Sequence, residues 1–433
     1  MPARARALTL ALPVLLALGA PASAAAAWSA PVRIAGPVGL DLLPAVIAGP
    51  GASSTEAVGL AIDDEDYPAS SRAFLSLRRA GGSFGAPLVL PGAQQTLALA
   101  YRGRDLIALA GASEPGLACC SSVQAVGPVR GHLPGPSRTL LRGLAGATTA
   151  RLLALPRRLL AVAATERGVW AAQSPPGSDR FGAARLLSGP RQLPQEMDAV
   201  ALPRGQTAVA WAARQDAVTA PGPRTLYLAR GSLRGGPGRG RALLTVAPGH
   251  AIDELGLAAG AGVPAVAWIE SWYDRGGNFH AQVKEADLTP KLRPRAVSSA
   301  RELAAGLAFA GNGAGAQVLS WKACDSTGGC RMRVLLRQRG AGFGPLQRPG
   351  RIDPTETPAV AIAADGHAAV GWIRDGAVVA ATSSGRRLGA PRLVGRTAFA
   401  TDLTLAATRH GALAVWTQGT LAESVLGASL PHL

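Results

Sequence analysis

The sequence predicts an all-β fold, a β-propeller of eight four-stranded blades, on three observations. A short apolar segment with strand alternation recurs eight times along the chain, roughly fifty residues apart. Glycine-containing turns of the hairpin type stand before it. A segment near the start of the chain matches the outer strand that the last repeat lacks.

The recurring segment reads AVGLAI at 57–62, LIAL at 106–109, LLAVA at 159–163 and AVAW at 208–211. It continues as AVAW at 265–268, QVLSW at 317–321, AAVGW at 368–372 and LAVW at 413–416. Five copies end in Trp, and strand alternation puts the residue two positions earlier on the same face. Val209 and Trp211 are thus expected on one packed face, and the small Ala210 on the other, where close sheet packing requires little volume.

The other three strands of the unit recur with it. A preceding strand reads DAVAL at 198–202, LAAGLAF at 303–309, PAVAI at 358–362 and LTLA at 403–406, joined by turns such as Asn312-Gly313 and Asp365-Gly366. A third strand reads TLYL at 225–228 or RMRVLL at 331–336, and an outer one FGAPLVL at 84–90, FGAARLL at 181–187 or FGPL at 343–346. Four strands per repeat with no helical periodicity is the propeller pattern. Eight blades is the direct count; seven is the alternative, because residues 121–150 are irregular.

The ends divide the chain into a leader and one domain. Arg4 and Arg6, an apolar run at 7–18 and small residues with Pro21 have the order of a secretory signal peptide over residues 1–27. The run is short of the ~20 residues a membrane span needs, and no later segment reads as one. Residues 28–433 are expected to form a single propeller. WSAPVRI at 28–34 resembles the outer strand FGAPLVL, so it is expected to close the last blade, whose third strand reads at 421–426. The protein is therefore expected to be a secreted, extracellular or cell-envelope-associated monomer.

The Phe-Gly-x-Pro outer strand, the glycine turn and the Val-x-Trp strand resemble the repeats of secreted bacterial propellers of the broad sialidase-like group. That resemblance covers essentially the whole mature chain and implies the propeller fold. The Asp-box of those repeats, Ser-x-Asp-x-Gly-x-x-Trp, has no copy here. The arginine triad, the Tyr with a Glu and the Asp acid of the enzymes fall on no matching motif in this chain.

The formal charge is +17, and all but three of the 44 basic residues are arginine. They are scattered, with no basic run of five and no zinc-finger spacing, so specific nucleic-acid binding is not expected. Four cysteines in an exported chain point to disulfides. Cys324 and Cys330 flank a glycine turn and suit a bridge across a hairpin mouth. Cys119 and Cys120 allow a vicinal bridge, two free thiols or pairing elsewhere.

Chemistry is expected in the loops between second and third strands, because the strands themselves are occupied with packing. Asp63, Asp64 and Asp66 form an acidic loop whose oxygens suit calcium, the one cofactor the sequence suggests. Glu270, Trp272, Tyr273 and Asp274 read as a ligand-binding loop, the aromatics stacking a sugar ring and the acids accepting hydroxyl hydrogen bonds. No catalytic residue is assigned, although Glu270 and Asp274 form a paired-carboxylate candidate. Six acids near the starts of first strands (Asp41, Asp198, Glu254, Glu302, Glu356 and Asp402) suggest either a cation-attracting ring or hydrogen bonding between blades, the second being favoured. The expectation is a binding or scaffold protein, not an enzyme, that meets a glycan, an envelope polymer or a protein through one face. A glycan-processing hydrolase is the alternative.

Overall fold

Successive side chains of a strand point to opposite faces. Second strands such as TAVAWAA are apolar at nearly every position, so each sheet has two apolar faces and needs a neighbour on each side. A computed structural model describes residues 27–433 except 37–40, 49–54, 64–70, 80–81, 113–119, 131–132, 143–146, 191, 215–221, 397–398, 409–410, 420–423 and 432–433, with backbone alone at 41–48, 61–63 and 147–148. Residues 1–26 of the expected leader lie outside it. The described residues form eight antiparallel sheets of four strands, the outer position of blades 4 and 7 being shared by two short segments. This is an eight-bladed β-propeller.

The first strands are Asp41–Ala48, Gln95–Arg102, Ala147–Leu155, Leu193–Ala201, His250–Ala258, Leu303–Gly311, Ala359–Ile362 and Ala400–Thr408. Each contacts the first strand of the next blade, and the eighth contacts the first, so they form the inner ring. The irregular stretch after residue 121 resolves into Ser122–Val129 and Ser137–Leu141, which complete blade 2, and Ala147–Leu155, which opens blade 3. In blade 8 the third strand is Ser424–Pro431, and its outer partner is Val32–Ala35 from the other end of the chain. Ser29 extends that contact, its N–H donating to the Ser429 carbonyl at 2.7 Å.

The tryptophans explain how blades meet. Trp211, Trp268, Trp321, Trp372 and Trp416 are all fully buried. Trp211 and Val209 pack with Leu160, Val162 and Val169 of blade 3. On the other face of the same strand, Ala208, Ala210 and Ala212 pack with Trp268 of blade 5. Trp321 likewise meets Ala267 and Ala281 of blade 5, and Trp416 meets Ala369 and Ala380 of blade 7. At Trp268, Trp321 and Trp416 a large side chain thus fills the space that alanines leave on the blade before it. Trp211 and Trp372 instead meet larger aliphatic side chains. The five indole N–H groups are buried without a hydrogen-bond partner among the described residues, so apolar packing must outweigh that cost.

Truncation of such a residue leaves a cavity that the surrounding hydrogen-bonded sheets only partly collapse into. Trp211→Ala should therefore lower stability by about 3–5 kcal/mol in urea unfolding. A loss below ~1 kcal/mol would show that the indole is not the filler between blades 3 and 4.

Candidate functional site

Blade 5 carries second and third strands of nine residues each beside the predicted binding loop. Its second strand runs Ala265–Tyr273 and its third Phe279–Asp287, so the segment expected as a loop from Glu270 is strand as far as Tyr273. The hairpin tip is only residues 274–278. Continued alternation then decides where each side chain goes. Glu270 and Trp272 follow Trp268 toward blade 4, while Tyr273 lies on the opposite face.

Glu270 is buried and both its oxygens are engaged. His250 Nδ1 donates to Oε1 at 2.7 Å, and Lys284 Nζ lies 2.7 Å from Oε2. Trp272 is paired in register with His250 on one side and His280 on the other. Adjacent strands are ~4.8 Å apart, and this spacing stacks the three rings. The centroids are 5.0 Å apart for His250 and 5.2 Å for His280, with interplanar angles of 7° and 17°. Both faces of the Trp272 indole are therefore occupied by imidazole rings.

Asp274 is consumed by its own turn. Its Oδ1 accepts from the N–H groups of Gly276 at 2.8 Å and Asn278 at 2.9 Å, and its Oδ2 accepts from His280 Nε2 at 3.0 Å. The side-chain hydrogen bonds from Asn278 and His280 hold its carboxyl well below the usual range. His280 also points Nδ1 at the Ala300 carbonyl at 3.2 Å. Acceptors at both ring nitrogens favour the doubly protonated imidazolium, and the bond to Asp274 is the largest cause of its raised pKa.

What remains open to solvent is aromatic. Tyr273 is 70% exposed and Phe279, its partner across the hairpin, 44%. Their centroids are 5.2 Å apart with planes tilted by 54°. In blade 6 the corresponding hairpin is closed by the Cys324–Cys330 disulfide. There Asp325 caps the turn as Asp274 does in blade 5, accepting from Thr327 N–H and Gly329 N–H at 3.0 Å each. Cys120 is buried and disulfide-bonded, while Cys119 lies outside the described residues.

The first-strand acids reach between blades. Asp198 accepts from Leu257 N–H of blade 5 at 2.8 Å and from Arg151 Nε of blade 3 at 2.8 Å. Glu254 accepts from Gly306 N–H of blade 6 at 2.8 Å and from the neighbouring Leu307 N–H. Glu356 accepts from Asp402 N–H of blade 8 at 3.3 Å. Glu302 pairs with Arg333 within blade 6, and Asp402 accepts from the Thr417 hydroxyl within blade 8. The side chain of Asp41 is outside the described residues. Glu254 and Asp402 adopt φ of 44° and 53°, a left-handed backbone that costs a non-glycine residue about 1 kcal/mol or more. The bulges at 305–308 and 401–404 take the backbone N–H groups of Gly306, Leu307 and Asp402 out of regular register, and Glu254 and Glu356 receive them.

Sequence reasoning singled out neither His250, His280, Lys284 nor Phe279, because each acquires its role only through strand register. It also passed over Glu196 on the first strand of blade 4. Burial raises the Glu196 carboxyl pKa first, and the nearby charges of Glu254 and Asp253 raise it further. Asp253 in turn accepts from the Ser271 hydroxyl. The calcium candidates Asp64 and Asp66 lie outside the described residues, as does the side chain of Asp63. Among the described residues no group of three or more His, Cys, Asp or Glu side chains could hold a metal, and no helix is long and apolar enough to cross a membrane.

No family model and no curated protein matches this chain. Among solved structures it is similar to the Dos1 propeller at 10% identity and a TM-score of 0.53, over 93% of this chain and 95% of that one. It is similar to polysaccharide lyase Uly1 at 8% identity and a TM-score of 0.50, over 94% and 99% of the two chains. A Hadza microbial sialidase, Hz136, aligns at 12% identity and a TM-score of 0.40, over 92% and 95%. The likeness is one of fold.

The paired acceptors around His280 give a measurable titration. Its pKa should lie above the ordinary ~6.5 in a pH series of its ring-proton shifts, and fall toward that value in Asp274→Asn. A raised folded pKa means the contact stabilises the hairpin fully below about pH 6.5 and is lost as pH rises through the folded value. An unchanged His280 titration in Asp274→Asn would contradict the assignment.

Proposed function

We propose that this is an exported binding protein, not an enzyme, and that the hairpin tip of blade 5 meets a glycan or an envelope polymer. The observation that carries the reading is the Tyr273–Phe279 pair, which stands open at a tip where the neighbouring carboxylates Glu270 and Asp274 are already bonded. Exposed tilted aromatics supply apolar faces for the C–H surface of a sugar, and their backbone is held by the hairpin ladder. Trp272 has no such face to offer and serves to hold the ladder. The Cys324–Cys330 bridge and the leader-like start of the sequence support export, because disulfides persist in oxidising compartments.

A second reading, glycan hydrolysis, is favoured by Glu196. A carboxyl with raised pKa near two further acids is the pattern of a general acid beside an ionised partner. It is distinguishable, since hydrolysis would depend on Glu196→Gln and leave Tyr273 a secondary residue.

Glycan-array screening followed by titration calorimetry tests both. Tyr273→Ala and Phe279→Ala should each weaken binding roughly three- to tenfold, with no sugar released by the wild type. A double variant that keeps full affinity for every bound glycan would refute the binding site. Hydrolysis abolished by Glu196→Gln would replace binding with catalysis.

A further inference from the structure

On the opposite face, where the third strands end, a cavity of about 450 Å³ opens between blades 5 and 6. That volume lies within the range of small-molecule sites. Its lining holds four cationic side chains, Lys291, Arg293, Arg295 and Arg337, against two carboxylates, Glu285 and Asp287. Each carboxylate is paired with one arginine. Glu285 meets Nε of Arg295, and Asp287 receives Nη1 and Nη2 of Arg337 at 2.7 and 3.2 Å. Lys291 and Arg293 make no ion pair among the described residues, so the cavity carries excess positive charge.

Three features make this more than scattered surface charge. Arg295 and Arg337 both lie over the Phe343 ring, at 5.6 and 5.9 Å, which holds two like charges together. Burial and then the charge of Arg337 lower the pKa of Arg295, the sign of a position that an anion would relieve. The strand-to-strand loop bearing Lys291 and Arg293 is also tethered at its base. Leu288 N–H donates to the Pro264 carbonyl at 2.8 Å, Thr289 N–H to the Asp287 carbonyl at 2.7 Å, and the Thr289 hydroxyl to the Lys291 carbonyl at 2.7 Å. The Leu288 carbonyl accepts from Arg230 of blade 4. Little ordering is left to be done when a ligand arrives.

We propose that this cavity binds the phosphate or sulfate group of a sugar-sized ligand. Planar guanidinium groups match the oxygens of such groups in a bidentate manner, and the terminal nitrogens of Arg295 remain free of protein partners among the described residues. Lys291 and Arg293 at the exposed rim supply the charge that a dianion needs, and the cavity volume leaves room for the attached ring.

Calorimetric titration of the mature protein with glucose 6-phosphate, inorganic phosphate, sulfate and glucose tests this. Glucose 6-phosphate should bind, glucose should not, and added salt should weaken the affinity. The double variant Lys291→Ala/Arg293→Ala removes exposed side chains, spares both arginine–carboxylate pairs, and should weaken binding by at least about tenfold. Gly342 in the wall has open space where its Cβ would stand, so Gly342→Leu should fold and obstruct the sugar phosphate. Inorganic phosphate or sulfate binding as tightly as glucose 6-phosphate would support the site and make the oxyanion the whole ligand. Glucose binding equally well, no binding of any anion at 10-mM-order concentration, or binding unaltered in both variants would overturn it. These ligands and variants are separate from those that test the blade 5 hairpin, so either site can fail alone.

Discussion

A blade with two apolar faces can bury them only between two other blades, and this constraint organises the molecule. It forces a ring, since an open stack would leave two faces in water. At three boundaries a tryptophan fills the alanine-lined face of the blade before it, as Trp268 does on Ala208, Ala210 and Ala212. The same need accounts for the use of Val32–Ala35 as the outer strand of blade 8, which ties the two ends of the chain into one sheet. Stability is thereby spread over eight interfaces, five of them built around a buried tryptophan and the others around smaller aliphatic side chains.

Close packing of sheets creates a polar problem at the inner ring. Bulges in the first strands leave N–H groups without ladder partners, and a buried unpaired N–H costs about 1–3 kcal/mol. Glu254 meets that need across the blade boundary at Gly306 and Leu307, and Asp198 crosses the preceding boundary to Leu257 N–H, which lies in regular register. A carboxylate so placed is a structural acceptor, which removes it from the pool available for chemistry. The proposed binding roles fall to side chains that no interface requires, the open aromatics of one hairpin and the rim cations on the other face. Glu196 stands apart, because burial beside other acids favours its protonated form.

Much of this fold is legible in the sequence because period-two alternation is local. Val209, Ala210 and Trp211 need only their own strand to declare opposite faces, and repetition supplies the blade count. The candidate site is less legible because its contacts are set by register. Trp272 lies 22 residues after His250 and eight before His280, and nothing short of the ladder aligns the three rings. Charge at Glu270 suggested the end of a strand, yet Lys284 and His250 make that charge acceptable inside one. Alternation carried on from Trp268 would have placed Trp272 toward blade 4 and Tyr273 away from it. The tight turn that frees Tyr273 is stabilised by Asp274, a residue whose sequence context alone suggests a ligand contact.

The central claim is that first-strand carboxylates bind blades together through backbone N–H groups. Amide hydrogen exchange of Gly306, Leu307 and Leu257 in the wild type and in Glu254→Ala tests it most directly. Gly306 and Leu307 should be protected in the wild type and exchange at least about tenfold faster in the variant, while Leu257, held by Asp198, stays protected. Exchange of Gly306 and Leu307 at the free-loop rate in the wild type, or at the same rate in both proteins, would contradict it.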